Sequence, residues 1–228
     1  MRYTSELLPA TFLERPNRFL GVVELGGART TCFIPNPGRM HELMVPETRV
    51  YLLEKPGGHR KTGYDMTLVD HGGTLVSIDS RLPNALLAEA IQAGNIEELE
   101  DLSVARAEPP YLDSRFDLLL SGSGGEMILE AKSCTLVVDG LAMFPDAPTL
   151  RGARHMRTLT RALNEFRAAV VFVIQRPDAS AWRPHREMDP GFSDALAEAV
   201  AAGVEAYAYR CHVTLEGVKL GDRVPISL

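Results

Sequence analysis

The chain has few cysteines and no long apolar run, and both absences limit what it can be. Its 228 residues include three cysteines, none of them in a C-x-x-C pair, so neither a disulfide framework nor a zinc ribbon is predicted. No run of eighteen apolar residues occurs, which argues against a membrane-spanning helix. Glu6 and Pro9 lie where a secretory signal needs its apolar segment. We therefore expect a cytoplasmic protein that does not associate with membranes.

Several classes of chemistry lack their usual residues. The six histidines show no metal-ligand spacing, so no zinc site is predicted. Neither a Ser-His-Asp order nor a glycine-rich phosphate loop occurs. The net charge of −6 argues against a protein that coats nucleic acid by electrostatics alone. Residues 1–80, however, hold nine basic and nine acidic side chains, so a local basic face can still exist there.

The sequence pattern changes near residue 80. Before it, short strand-like segments separated by Gly and Pro turns, with one brief helical insertion at 39–43, indicate a small β-barrel of the OB type. The predicted strands cover 19–25, 29–34, 49–53, 64–69 and 74–78. After Arg81, strands alternate with helices, which indicates an α/β or α+β domain with a mixed sheet flanked by helices. Its predicted helices cover 83–91, 149–166 and 193–202, and its last two strands cover 168–174 and 207–215. We therefore divide the chain into domains 1–80 and 81–228.

The hairpin of residues 115–132 is the most informative segment. Asp117 lies in its first apolar strand, and Glu130 and Lys132, two residues apart on the second, leave the same face. The second strand is apolar on both sides and should be interior, where unpaired charges are rare. Edge-strand charges that discourage aggregation are the alternative. Two carboxylates and an ammonium at the end of a sheet predict a site for Mg²⁺ or Mn²⁺ that activates water against a phosphodiester.

Arginines recur along the predicted helix 149–166. Arg154, Arg157 and Arg161 fall within about 60° of one another, Arg151 precedes them, and no acid occurs before Glu165. A row of positively charged side chains without interspersed acids favours contact with the phosphates of a nucleic acid. The alternative is an ordinary solvated helix face.

Basic residues elsewhere extend the predicted nucleic-acid surface. Arg176 follows a buried strand, at the edge where open α/β sheets place ligands. A simple transition from strand to loop is the alternative there. In the first domain, Arg39, Arg60 and Lys61 are candidates for the nucleic-acid surface that OB barrels commonly carry.

Five segments in a fixed order carry a resemblance to a known family. They are FIPNPGRM at 33–40, SIDSRLPN at 77–84, EAKSCT at 130–135, MFPDAPT at 143–149 and VIQR at 173–176. Together they resemble the sugar fermentation stimulation protein A family of bacteria and archaea, over essentially the whole chain. The spacing of Asp117 and Glu130-x-Lys132 is also similar to the metal-site signature of the PD-(D/E)XK nuclease superfamily. The resemblance implies an OB-like domain followed by a restriction-endonuclease-like domain, with Glu89 as a third metal-binding carboxylate on the helix before the hairpin.

Three functions follow from these observations. The first is a DNA-binding protein whose second domain is a metal-dependent nuclease, with Asp117, Glu130 and Lys132 as the catalytic residues and DNA favoured over RNA. The second is a non-catalytic DNA-binding regulator of sugar (maltose-type) metabolism genes, as the family's name implies. The third is an enzyme that acts on carbohydrates or other small molecules, which the lack of aromatic platforms disfavours. Nothing in the sequence predicts the oligomeric state.

Overall fold

The computed structural model describes residues 1–57 and 60–228. One of the six histidines, His59, therefore lies outside the described residues. Within them, no helix has both the length and the apolar character needed to cross a membrane.

The first domain is a β-barrel, as predicted. Its strands are β1 (Leu8–Asn17), β2 (Leu20–Leu25), β3 (Ala28–Phe33), β4 (Arg49–Glu54), β5 (Tyr64–His71) and β6 (Thr74–Ser77). They pair in the order β3-β2-β1-β4-β5-β6. A parallel pairing of Phe33 with Asp65 brings β3 against β5 and closes the barrel. The apolar side chains that point inward, among them Phe12 and Val23, are buried in one core.

Two details of the barrel differ from the prediction. The predicted helix at 39–43 is wrong, because the chain forms turns there and Met40 has a positive φ of 48°. Met40 and Leu43 are buried in the barrel core, so the segment packs inward without helical geometry. Strand β1 was not predicted, since Pro9 and Pro16 interrupt its pattern and proline is unfavourable inside most strands.

The second domain is a mixed sheet with helices on both faces, and this prediction is confirmed. Its helices are α1 (Leu82–Gln92), α2 (Leu150–Ala162) and α3 (Pro190–Ala201), with a short 3₁₀ turn at Glu97–Leu99. The main-sheet strands are β7 (Leu102–Ala107), β10 (Leu118–Gly122), β11 (Gly125–Cys134), β14 (Arg167–Ile174), β16 (Glu205–Val213) and β17 (Val218–Arg223). The remaining short strands are β8 (Pro110–Tyr111), β9 (Ser114–Arg115), β12 (Val137–Val138), β13 (Leu141–Phe144) and β15 (Ala181–Pro184).

The main sheet has the order β17-β16-β14-β11-β10-β7. Its central strands β11, β14 and β16 are parallel, and the hairpin partner β10 is antiparallel to β11. Helix α1 packs with one face of the sheet through residues such as Leu87, while α2 and α3 pack with the other through residues such as Leu159 and Leu196. Because β11 is covered on both faces, a charge in the middle of the strand, such as Glu130, is taken into the interior.

Helix ends differ by a few residues from the predicted ones. Helix α3 begins at Pro190 rather than Ser193, because the Asp189 side chain caps it by accepting a hydrogen bond from the Phe192 N–H. Helix α2 ends at Ala162 rather than at residue 166. Its start is capped by the Thr149 side chain, which accepts a hydrogen bond from the Gly152 N–H.

A buried glutamine joins the two domains. The backbone carbonyl of Gln175 accepts a hydrogen bond from the Ser77 N–H at 2.9 Å. The side-chain amide of Gln175 donates to Ser133 Oγ at 3.0 Å. Ser77 Oγ in turn donates to Gln175 Oε1 at 3.4 Å. Because Gln175 has no exposed surface, these bonds are shielded from competing water. The end of the barrel is thereby fixed to the ends of β11 and β14.

Candidate active site

Asp117 lies immediately before β10 and is held by two hydrogen bonds. Its Oδ2 accepts from the backbone N–H of Ala131 at 2.7 Å, and its Oδ1 accepts from Asn84 Nδ2 at 2.6 Å. The first donor belongs to β11 and the second to α1. Since a carboxylate oxygen can accept two hydrogen bonds, each oxygen of Asp117 keeps a lone pair for a further ligand.

Glu130 and Lys132 meet on the face of β11 that packs with α2. Lys132 Nζ lies 2.5 Å from Glu130 Oε1, and Glu130 is only 4% exposed. The structure therefore brings the predicted pair together with Asp117 at one end of the hairpin. The edge-strand alternative is excluded, since β11 is central and pairs with β10 and β14.

His155 completes the site and was not predicted. It is buried on α2, and its Nδ1 lies 2.5 Å from Glu130 Oε1. Arg151 Nε donates to His155 Nε2 at 3.3 Å. Because an arginine N–H can only donate, Nε2 must be the acceptor and the imidazole proton lies on Nδ1, which donates to Glu130. The sequence feature that could have indicated His155 is its place on the apolar face of the helix, one turn after Arg151.

The two carboxyl groups have pKa values shifted in opposite directions. Burial, followed by the nearby charge of Glu130, raises the pKa of Asp117 above its usual value, although hydrogen bonds from Ala131 and Asn84 oppose the shift. Burial alone would raise the pKa of Glu130 too, but the hydrogen bond from His155 and the charge of Lys132 outweigh it and lower that pKa. Glu130 is therefore the more readily ionised of the two, and a cation bound beside Asp117 would lower the pKa of that carboxyl group.

The donor set fits a hydrated hard cation. In residues 1–57 and 60–228, no group of three or more His, Cys, Asp or Glu side chains is arranged to hold a metal ion. Mg²⁺ commonly binds proteins through one or two carboxylates, keeps several waters and gains its other ligands from substrate phosphates. Asp117 and Glu130 meet that requirement, since each oxygen of Asp117 keeps a lone pair and both partners of Glu130 among the described residues, Lys132 and His155, bind its Oε1 and leave Oε2 available. A cation between them would also reduce the repulsion that raises the pKa of Asp117.

Glu89 does not join these residues. Its exposed carboxylate lies 2.9 Å from the N-terminal ammonium of Met1. Asn84, five residues earlier on the same helix, is the residue that contacts Asp117. Five residues correspond to about 140° of helical rotation, so Glu89 lies on a different side of α1. Its predicted role as a third carboxylate is therefore wrong for this arrangement.

The predicted arginines of α2 are all exposed. We call Arg151, Arg154, Arg157 and Arg161 the arginine row. The row lies on the same helix as His155, and Arg151 contacts that histidine directly. Arg151 therefore joins the row to the site, whereas Arg154, Arg157 and Arg161 lie about 100–160° around the helix from His155.

Arg176 is a correction to the predicted nucleic-acid surface. The residue is 2% exposed, and its guanidinium binds both carboxylate oxygens of Asp178 at 2.7 Å and donates to the Thr135 carbonyl at 3.2 Å. A buried guanidinium with these partners holds loops together and is not presented to phosphate. Gln175, next to it, joins the domains instead of facing solvent.

The predicted basic residues of the barrel separate into two places. Arg60 and Lys61 line one groove together with Arg81. Arg39 is exposed on the turn after β3 and does not line that groove. The groove therefore contains two of the three predicted residues.

Comparison with known proteins identifies the family. Residues 13–78 match the family model of the SfsA N-terminal OB domain, and residues 81–217 match that of the sugar fermentation stimulation protein RE domain. The chain belongs to the SfsA family. A sugar fermentation stimulation protein homologue from Moorella thermoacetica is 47% identical over 98% of both chains. Another, from Desulforamulus reducens, is 43% identical over 98% of this chain and 93% of that protein.

A solved SfsA structure shares the whole fold. It is Pyrococcus furiosus SfsA in complex with Ca²⁺, which is 33% identical, covers 100% of this chain and 98% of that one, and superposes with a TM-score of 0.93. The predicted order of an OB-like barrel followed by a mixed sheet with helices is therefore the SfsA architecture.

Proposed function

We propose that this SfsA-family chain is a divalent-metal-dependent phosphodiesterase that acts on nucleic acid, with DNA favoured over RNA. The observation that carries the proposal is the group formed by buried Glu130 and half-buried Asp117 and Lys132 at one end of the central strands. Interior charges are costly to fold around, and this group is further ordered by Asn84 and His155. Such an arrangement is typical of a site where the charged side chains bind a ligand or take part in catalysis.

Asp117 and Glu130 would hold Mg²⁺ or Mn²⁺ in this proposal. The bound cation would polarise a phosphoryl oxygen and make a water molecule more acidic. Support comes from the relative described as a complex with Ca²⁺, since Ca²⁺ and Mg²⁺ are both hard cations that take oxygen ligands.

Lys132 would act at the reacting phosphate. Its ammonium is held 2.5 Å from Glu130 Oε1, so its position is set before substrate arrives. There it would orient the attacking water and offset the negative charge that develops on the phosphorus oxygens. His155 would be a positioning residue, because it acts by fixing the Glu130 carboxylate.

The arginine row would hold the nucleic-acid backbone beside this site. It presents exposed cations along one side of α2, and guanidinium groups bind phosphate oxygens with two parallel hydrogen bonds. Arg151, the first member of the row, contacts His155, so the row begins beside the residue that holds Glu130. Binding and chemistry would thus share one rigid element.

Cleavage of a panel of single- and double-stranded DNA and RNA, in Mg²⁺, in Mn²⁺ and in chelator, tests the proposal. We expect metal-dependent cleavage by the wild type and a loss of about 10²–10³-fold in rate for Lys132→Met, with nearly unchanged DNA binding. Lys219→Met is a matched control, since that exposed lysine lies on β17, three strands from β11. A purified wild type that binds DNA yet cleaves no member of the panel would contradict the proposal and favour the regulator function.

A further inference from the structure

The barrel carries an open groove outside the site described above. The groove has a volume of about 700 Å³ and is lined by the turn between β1 and β2, the end of β3, the segment before β5 and Arg81 at the start of α1. The β1–β2 turn and the β4–β5 connection are the two loops with which OB barrels commonly bind oligonucleotides. The groove thus lies where an OB fold can take a strand.

An aromatic pair forms one wall of the groove. Phe19 and Phe33 lie nearly parallel, with an interplanar angle of 16° and ring centroids 6.1 Å apart. Phe19 is 44% exposed, and in residues 1–57 and 60–228 no other Phe, Tyr or Trp side chain is classed as exposed. A solvent-facing ring beside a second ring offers a flat apolar surface of the kind on which bases stack.

Three cations surround the aromatic pair. The guanidinium of Arg81 lies 5.9 Å from the centre of the Phe33 ring and binds Asp79 at 2.6 Å. Arg60 binds the buried carboxylate of Asp65. These acids fix the two guanidinium groups but also cancel most of their charge.

Lys61 differs from the two arginines. It is exposed, and it forms no ion pair with any described residue. Three cations and two carboxylates leave the groove with a small positive charge. Binding there should therefore depend more on stacking than on attraction to phosphates.

We propose that this groove binds an unpaired base of a single-stranded nucleic acid, with the base stacked on Phe19 and the neighbouring phosphate held by Lys61. The inference rests on the proposed function, since it takes nucleic acid as the ligand. Stacking needs a free base face, which a duplex hides between its neighbouring pairs. The groove therefore selects single strands, or duplexes with unpaired ends, over fully paired DNA.

The position of the groove connects it with the active site. Arg81, in its wall, precedes Asn84 by three residues, and Asn84 donates to Asp117. Three residues at the start of a helix span about 5 Å. The two places are therefore linked through the first turn of α1.

Fluorescence anisotropy with labelled oligothymidylate and with a blunt duplex of equal length, both in chelator, tests the inference. Because the chelator removes the metal on which cleavage would depend, the measurement reports binding alone. We expect Phe19→Ala to weaken single-strand binding about 5- to 150-fold, the range for one lost base-stacking contact, with little change for the duplex. Phe19→Trp should keep the affinity. Leu215→Ala is the control, because Leu215 is also 44% exposed but lies outside the groove.

The outcomes separate this inference from the proposed function. Equal affinity of wild type and Phe19→Ala for the single strand, or an equal loss for single strand and duplex, would overturn the stacking site even if the protein cleaves nucleic acid. A selective loss in Phe19→Ala would support it even if no cleavage is ever seen. An unchanged melting temperature of the variant shows that the fold is intact, as expected for an exposed side chain.

Discussion

Replacing Asp117 by Asn tests the metal site directly. The amide can keep one of the two hydrogen bonds that Asn84 and Ala131 donate to this side chain, but its NH₂ group must face the other donor. A lost buried hydrogen bond costs about 1–3 kcal/mol. The substitution also removes the repulsion between Asp117 and Glu130, whose charge raises the pKa of Asp117. This second effect stabilises the folded variant and offsets the lost hydrogen bond. We therefore expect a folded variant of similar stability.

The response to metal should nevertheless differ greatly. A ligand at about 100 times its Kd that binds only the folded state stabilises a protein by about 2.7 kcal/mol. For a chain of this length, that corresponds to a rise in Tm of roughly 5–10 °C. Thermal unfolding followed by circular dichroism, in excess Mn²⁺ and in chelator, should show this rise for the wild type and almost none for Asp117→Asn.

Glu89→Gln is the matched control, since it also removes one carboxylate of the second domain. It loses an exposed ion pair with the N-terminal ammonium, which is worth about 0–1 kcal/mol. Its Tm in chelator should therefore change little, and its rise with Mn²⁺ should equal that of the wild type. Equal metal-induced shifts in the wild type and in Asp117→Asn would refute the assignment of the site.

Three further predictions concern the same region. Replacing Arg154, Arg157 and Arg161 by Glu should weaken binding to every DNA sequence. The slope of log affinity against log salt concentration should fall by up to about one unit for each lost phosphate contact. An unchanged slope would mean that these arginines form an ordinary solvated helix face. His155→Leu should lower the free energy of unfolding at neutral pH by about 1.5–3 kcal/mol, the value of a hydrogen bond to a charged group. Because a lowered pKa of Glu130 stabilises the fold only while that group is ionised, the difference from the wild type should shrink in chemical denaturation as the pH falls through that pKa. The Mn²⁺-induced rise in Tm should diminish as the pH falls through the raised pKa of Asp117, since protons then compete with the metal, and a pH-independent rise would contradict this.

The sequence predicted the parts of the site that a strand pattern can reveal. Asp117, Glu130 and Lys132 were recognisable because charges are rare inside an apolar hairpin unless they are paired or functional. The barrel and the mixed sheet were recognisable from the change of pattern near residue 80. These features depend on residues that are close together in the chain.

The features that were missed depend on distant residues. His155 reaches Glu130 across 25 residues, and helical periodicity alone marks it only as a core position. Arg176 follows a strand as a ligand-binding residue would, yet its guanidinium is buried and donates to the carbonyl of Thr135, 41 residues earlier in the chain. Phe19 and Phe33 were not predicted to stack, since only the pairing of β2 with β3 brings Leu20 opposite Phe33 and thus sets the two rings side by side. Tertiary contacts decided each of these cases.

The buried glutamine between the domains has a consequence for how the protein would handle a strand. Gln175 hydrogen-bonds to Ser77 of the barrel and to Ser133 at the end of β11. The barrel groove and the carboxylates consequently cannot drift apart as they would on a flexible linker. If the proposed function holds, a strand seated in both would have a fixed number of nucleotides between the stacked base and the cut phosphate. Cleavage products should then share one length, counted from the unpaired end, whatever their sequence.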